Sequence, residues 1–433
     1  MTETSRRDFL STVAGVGALG AFPLEEILRD PRPAPRAIPG PALRPDEAIR
    51  IGTIGTGGMG TGHVESFVNM NREGKCHVQV VALADVCQSR LAAAKEKAET
   101  IQGASSVGTY KSYKELLAQP DIHAVVIASP EHWHQQMAED AIVAGKDVYI
   151  EKPMTLRLAQ ALRLMKVVEA NPERILNVGT QFVMVPSYTA ARDMIKQGVI
   201  GKPVWSQTSY CRNSKEGEWL YYEIDPQWQP GVNLDWDAWC GPLGKAAWDP
   251  QVYARWRRYR KYSTGIIGDL LVHRITPLLW SMDLGWPVRV TASGGHYIDK
   301  AMENHDQVNL TIEFENEHTM VVAGSTANEV GLETVIRGHK GNLYVGGRNA
   351  IMRPERLYAD EMEGEKTIVG EDIGDEQDAH RKRWLECIHT REAPASPVEL
   401  GAKVMVIVDL ATRSMWDRSA FGYDPRTQKV TKL

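Results

Sequence analysis

At 433 residues the chain is longer than one hydrophobic core usually organises, so two domains with additional segments are expected. Its content of 43% hydrophobic and 24% charged residues is that of a soluble globular protein, and a formal net charge of -5 gives no reason to expect nucleic acid as a partner. No run of about 18 or more apolar residues is present, so no stable membrane span is expected.

The chain opens with Ser5-Arg6-Arg7-Asp8-Phe9-Leu10, then a mildly apolar stretch over residues 11–22 and a proline-rich segment over residues 31–45. That order of elements is expected of a twin-arginine (Tat) export signal. Residues 1–46 therefore read as signal and linker, with the Tat machinery as a partner and the periplasm or another exported location as the destination. Tat carries folded proteins. The cysteines Cys76, Cys87, Cys211, Cys240 and Cys387, odd in number and without C-x-x-C spacing, thus read as structural thiols.

Residues 49–60, IRIGTIGTGGMG, form a short apolar strand running into Gly55, Gly57 and Gly60 with G-x-G-x-x-G spacing. Gly55 permits the tight turn, Gly57 lets backbone approach a pyrophosphate, and Gly60 lets the following helix pack closely on the strand. Gly58 and Met59 complete a loop that offers its N–H groups to phosphate at a helix N-terminus. A second strand-like run, residues 77–84, ends at Asp85, whose carboxylate would accept from the adenosine ribose hydroxyls and repel a 2′-phosphate. NAD is expected over NADP, a preference moderated by the nearby Arg90.

Residues 47–174 alternate strands with helices, as a doubly wound parallel sheet of Rossmann type requires. An apolar strand over 123–129, a helix over 135–144 and a strand over 147–150 place two further groups at carboxyl strand ends. These are Ser129-Pro130-Glu131-His132-Trp133-His134 and Glu151-Lys152-Pro153, beside the phosphate loop. Residues 175–433 read as a second, α/β domain. Alternating segments such as 307–314 and 319–324 predict an open, mainly antiparallel sheet within 288–345. The acidic run 360–378 reads as a solvated loop.

Hydride transfer from a secondary alcohol requires a group that takes the hydroxyl proton and a cation that favours the developing alkoxide. Lys152, at a strand end and before a proline, suits the second role. Asp269 and His273 stand four residues apart and share a face if that segment is helical, with the helix expected to kink or begin at Pro277. The same side chains, with His132 and His134, are the candidates for metal binding, but spacing marks no third ligand for the H-x-H pair and no metal is expected. Residues 205–262 hold seven of the twelve tryptophans. Most will pack, yet aromatic faces suit sugar rings and arginines suit hydroxyls or carboxylates, so Tyr210, Trp256 and Arg257, with Gln181, are candidate contacts to a carbohydrate or polyol.

The segments IGTIGTGGMG, DIHAVVIASPEHWHQQMAEDAIVAGKDVYIEKPM, VGTQ at 178–181, GIIGDLLVH at 265–273 and FGYDP at 421–425 together resemble the Gfo/Idh/MocA oxidoreductases, the family of glucose-fructose oxidoreductase and inositol dehydrogenase. The resemblance implies a Rossmann domain followed by an α/β domain whose open sheet mediates homo-oligomer contacts. It makes Lys152, Asp269 and His273 a catalytic set: Lys152 polarising the reacting oxygen, Asp269 orienting, His273 exchanging the proton. It also places the loop of Ser129, Pro130 and His132 beside the nicotinamide ribose, with Glu151 and Lys152 adjoining. Two departures fall near the implied substrate pocket: Phe182-Val183 where many relatives carry arginines, and Thr276 where they often carry Asp.

Export adds a constraint, because the periplasm offers no dependable pool of free NAD. The cofactor would be acquired in the cytoplasm and recycled while bound. The leading expectation is an exported NAD-dependent sugar or polyol oxidoreductase. The alternatives are an NAD-assisted glycoside hydrolase or lyase using transient oxidation, and a non-catalytic NAD(H)-binding protein.

Overall fold

The computed structural model describes residues 22–103 and 106–433. The twin-arginine motif at Arg6 and Arg7 lies outside the described residues.

The strand Ile49–Ile54 stands at the centre of a six-stranded sheet in the order Gly108–Tyr110, Val78–Ala84, Ile49–Ile54, Ala124–Ile127, Asp147–Ile150, Leu176–Val178. Every pairing in it is parallel. The strand order reverses between Ile49–Ile54 and Ala124–Ile127, which opens a crevice at their carboxyl ends. Ala124–Ile127 and Asp147–Ile150 are buried at every residue, the pattern of strands covered by helices on both faces. Leu176–Val178 is the sixth strand, so this sheet extends beyond the boundary expected at residue 174.

One face of the sheet buries Ile51, Val64, Phe67, Val80 and Leu91 together with Trp384 and Ile388. The last two belong to the helix Glu376–Thr390, so a late segment of the chain completes the N-terminal core. Truncating the fully buried Trp384 to Ala would cost about 3–5 kcal/mol. The other face buries Ile54, Val125, Ile127 and Met137 and runs continuously into the core of the second domain.

The second sheet has eleven strands, ordered Glu25–Ile27, Lys429–Lys432, Phe421–Asp424, Pro287–Gly295, Gln307–Phe314, Thr319–Ser325, Pro203–Cys211, Val335–Gly338, Gly341–Tyr344, Ala350–Pro354, Lys366–Ile368. Its pairings are antiparallel except that Thr319–Ser325 runs parallel to Pro203–Cys211. Gln307–Phe314 alternates buried and open positions, as a sheet with one covered face requires. The long buried helix Val398–Asp417 covers it, with the Ser414 hydroxyl accepting from the Ala292 N–H at 2.7 Å.

Three local expectations are corrected. The segment after residue 22 is not a free linker: Glu25–Ile27 pairs with Lys429–Lys432, and the proline-rich stretch is docked. Arg163 donates to the carbonyls of Arg32 and Pro33, Asn171 to that of Pro35, and Ile38 N–H to Val143. Prolines hold this stretch extended, and their carbonyls still accept hydrogen bonds. The helix carrying His273 does not begin at Pro277; a π-helical turn, Ile267–Leu271, leads into the helix Val272–Met282, with Pro277 inside it. The acidic run is an exposed loop only in part, since it contains the strand Lys366–Ile368 and ends in the first turn of Glu376–Thr390.

Candidate active site

At the crevice lies a cavity of about 940 Å³, lined by Gly55, Gly57, Gly58, Met59, Asp85, Ser129, Pro130, Glu151, Lys152, Trp256 and Arg257 among others. Gly55 has φ +88°, and a Cβ there would stand 2.7 Å from the Ser129 nitrogen. Gly60 does not line the cavity. A Cβ on it would meet the Gly55 carbonyl oxygen at 1.8 Å, so it is the glycine that lets helix and strand touch. Gly58 has open space beside it, and no side chain caps the helix Gly58–Arg72. Its first N–H groups therefore face the cavity unpaired, a cradle that fits a pyrophosphate. Asp85 stands on the wall with Oδ2 accepting from the Thr56 N–H at 2.6 Å and Oδ1 from the Cys87 N–H at 2.8 Å. Arg90, expected to moderate its effect, also lines the cavity, with its guanidinium over the rings of Trp228 and Tyr253.

Lys152 Nζ donates to Asp269 Oδ1 at 2.9 Å and to the Asp269 carbonyl at 2.8 Å, and Arg257 Nε donates to the same Oδ1 at 2.8 Å. Burial opposes the charge of Asp269, but the adjoining Lys152 and Arg257 cations outweigh it and hold the carboxyl well below the usual range. Arg257 in turn lies over the Trp256 ring at 4.3 Å. Lys152 is thus fixed at the cavity wall by a carboxylate from the second domain.

Asp269 does not orient His273. No hydrogen bond joins them, because Asp269 is committed to the two cations. His273 Nδ1 is buried without a partner, and the ring rests 5.4 Å from that of Phe182 and 6.0 Å from that of Tyr210. Burial, then the Lys152 charge, pushes its pKa down to about 3, so the imidazole is neutral. Gln181 is buried at the start of the turn Gln181–Met184, and neither it nor Tyr210 lines the cavity. Thr276 points back into its own helix, its hydroxyl donating to the Val272 carbonyl at 2.6 Å.

His132, expected beside the cofactor, turns away from the cavity. It is buried against Trp239 and Tyr262, with Nε2 donating to the Trp239 carbonyl at 2.7 Å. Both ring nitrogens of His134 lie 2.8 Å from carbonyl oxygens, those of Pro153 and Ser129. The two histidines hold loops together and do not converge.

Two relationships were not anticipated. Glu151 Oε1 accepts from His63 Nε2 at 2.8 Å, and His63 Nδ1 accepts from Arg381 Nε at 2.9 Å. Burial works against ionisation of Glu151, but this bond and the neighbouring charges hold its pKa down at about 2. Glu131 is also fully buried, with Oε1 accepting from the Ser263 hydroxyl at 2.5 Å and Oε2 unpartnered. Burial raises its pKa to about 8, so near neutral pH it is a carboxylic acid. Its place just after Pro130, at a helix start in a strand-end loop, was the available signal.

Part of the aromatic segment lines the cavity and the rest packs behind it. Cys87 bridges to Leu234, Gln88 N–H donates to the Asn233 carbonyl, and Asp235 N–H to that of Val86. Trp228, Trp236, Trp239, Tyr253 and Tyr262 form one buried cluster with Cys87 and Cys240, while Asp235, Trp239, Tyr253 and Trp256 reach the cavity. All five cysteines are free thiols.

Two family descriptions match this chain: oxidoreductase family, NAD-binding Rossmann fold, over residues 49–180, and oxidoreductase family, C-terminal alpha/beta domain, over residues 244–420. Among curated proteins it is similar to a glycosyl hydrolase family 109 protein of Shewanella sp. strain ANA-3, 30% identical over 190 residues, covering 41% of this chain and 38% of the relative. It is also similar to the alpha-N-acetylgalactosaminidase of Shewanella oneidensis, 29% identical over 196 residues, covering 41% and 40%. The chain thus spans about two fifths of these relatives. Among solved structures, levoglucosan dehydrogenase in complex with NADH superposes with a TM-score of 0.66 at 18% identity, over 86% of this chain and 98% of that one. An NAD binding oxidoreductase from Klebsiella pneumoniae gives 0.65 at 22% identity, over 87% and 98%.

Proposed function

This chain belongs to the Gfo/Idh/MocA oxidoreductase family, with an N-terminal NAD-binding Rossmann domain, and from that premise we propose that it oxidises or reduces a secondary alcohol carbon of a sugar, glycoside or polyol. The observation that carries the reading is the Lys152–Asp269–Arg257 cluster, of which Lys152 and Arg257 line the glycine-lined cavity while Asp269 and His273 are not among the lining residues. A nicotinamide bound there supplies the two-electron acceptor or donor. Lys152, held by Asp269, stabilises negative charge developing on the substrate oxygen. His273, held uncharged, is the group that would take the hydroxyl proton. The aromatic segment excludes water. Asp85 at the cavity wall, with Arg90 engaged by aromatic rings, favours NAD over NADP.

Export through the twin-arginine signal and pairing of copies through the open sheet belong to the same reading. The sheet leaves Val204 and Trp205 exposed, which suits a partner surface. The roofed cavity supports a cofactor kept through turnover. The test is to add a panel of sugars and polyols to the protein as purified and follow reduction of its bound nicotinamide by absorbance. If none changes the spectrum and none binds, the reading fails.

NAD-assisted glycoside cleavage is the second reading, favoured by the names of the curated relatives. There a transient ketone would acidify the neighbouring C–H and allow elimination. Solvent deuterium in the recovered sugar supports cleavage, whereas oxidation without bond breaking excludes it.

A further inference from the structure

Tyr210 is flanked by two guanidiniums. Arg212 lies 5.1 Å from its ring centre and Arg274 lies 5.4 Å from it, and the same Tyr210 ring rests against His273. Arg274 also stands 4.8 Å from the centre of Phe182, the other ring that His273 contacts. Both arginines thus stand beside rings that the His273 imidazole contacts.

Their charge balance is uneven. Arg212 has a counterion, donating to Glu218 Oε1 at 3.2 Å, and a further acceptor in the Tyr210 hydroxyl. The other carboxylates around the site are committed: Asp269 to Lys152 and Arg257, and Glu151 to His63. Glu131, a carboxylic acid near neutral pH, gives no charge. Arg274 forms no salt bridge among the described residues, and its Nε is buried without an acceptor. Lys152 and Arg257 share one carboxylate, and Arg274 has none among the described residues. A partly buried guanidinium with no anion is an unmet demand that a substrate can meet, because planar N–H donors match a carboxylate bidentately. Phe182 supplies a ring for Arg274 to lie on.

We propose that the substrate is an anionic carbohydrate, a sugar acid such as a uronate, uronide or aldonate, whose carboxylate is bound by Arg274 beside His273. This rests on the carbohydrate reading above and specifies its substrate class.

The test uses the protein with its bound cofactor and a set of sugar acids, each paired with the neutral sugar of the same configuration. Binding is measured by calorimetry, and turnover by absorbance of the bound nicotinamide. The expected result is that at least one acid binds about tenfold or more tighter than its neutral partner, and that Arg274→Gln lowers affinity for the acid far more than for the neutral sugar. Acids binding no better than their neutral partners overturn the proposal, and so does Arg274→Gln weakening both equally. The acid–neutral comparison on the unaltered protein decides even if the variant folds poorly. Tight, Arg274-dependent binding of an acid with no hydride transfer upholds the anion site and removes the oxidoreductase reading. Turnover of neutral sugars with no preference for acids does the reverse.

Discussion

Lys152 and Asp269, 117 residues apart in sequence, meet at 2.9 Å and make one charged unit from the end of a Rossmann strand and a π-helical turn of the second domain. Arg257 completes the unit on the same carboxylate oxygen. Breaking a buried pair leaves an uncompensated charge, so the geometry of the site depends on one carboxylate.

Asp269→Asn is therefore expected to lower kcat by on the order of a hundredfold or more while bound NAD(H) is retained, because the Rossmann cradle is untouched. Steady-state kinetics with cofactor quantified after denaturation check this. Unchanged kcat would remove Asp269 from the reaction.

His273 is held near pKa 3, well below its ordinary 6.5, so the pH–rate profile should show no acid limb near 6.5 from this group. His273→Gln should reduce kcat without displacing whatever limbs are present. A limb near 6.5 that vanishes in the variant would show that His273 is protonated in the working enzyme.

Stability should fall on mild acidification. His132 and His318 have pKa values lowered to about 4, chiefly by burial, and His380 to about 3. The unfolded chain binds these protons from about pH 6.5 downward while the folded protein resists them, so stability is lost as pH falls through that window. Thermal melts at pH 7 and pH 5 should differ by several degrees, with lower Tm at pH 5. Equal melts would contradict neutral buried imidazoles.

Glu131 acts in the opposite window. Its folded pKa of about 8 lies above the ordinary 4.5, so the folded state keeps a proton that the unfolded chain has released. Stability contributed by this group declines as pH rises from 4.5 to 8. Glu131→Gln mimics the protonated acid, and its Tm relative to the unaltered protein should improve steadily across that range. A constant difference would show that Glu131 is ionised in the fold.

Arg90→Met removes the guanidinium that lies against Trp228 and Tyr253 under the aromatic roof. Release of bound NADH, followed by fluorescence, should quicken by a few-fold to about tenfold. An unchanged rate would show that the segment does not retain the cofactor.

The parallel sheet was legible because its signals are local. The apolar run 147–150 matches the strand Asp147–Ile150, and the glycines of residues 55–60 turn where their spacing requires. Lys152 and Asp269 were legible as types but not as a pair, since no periodicity encodes a contact across 117 residues. The pairing of Glu25–Ile27 with Lys429–Lys432 was hidden for the same reason. The tryptophans announced packing without naming its target, which proved to be the turn at Cys87 and the glycine-lined cavity. His132 looked like a site residue because its loop ends a strand; helix geometry then carried its imidazole against Trp239 and Tyr262, whereas His134 still lines the cavity.

The most direct measurement is mass spectrometry of the small molecule released when the purified protein, expressed in the cytoplasm, is denatured. Close to one NAD(H) per chain, held in the glycine cradle beside the aromatic segment, is the expected result. Release of no nucleotide, together with no binding of added NAD, would contradict it.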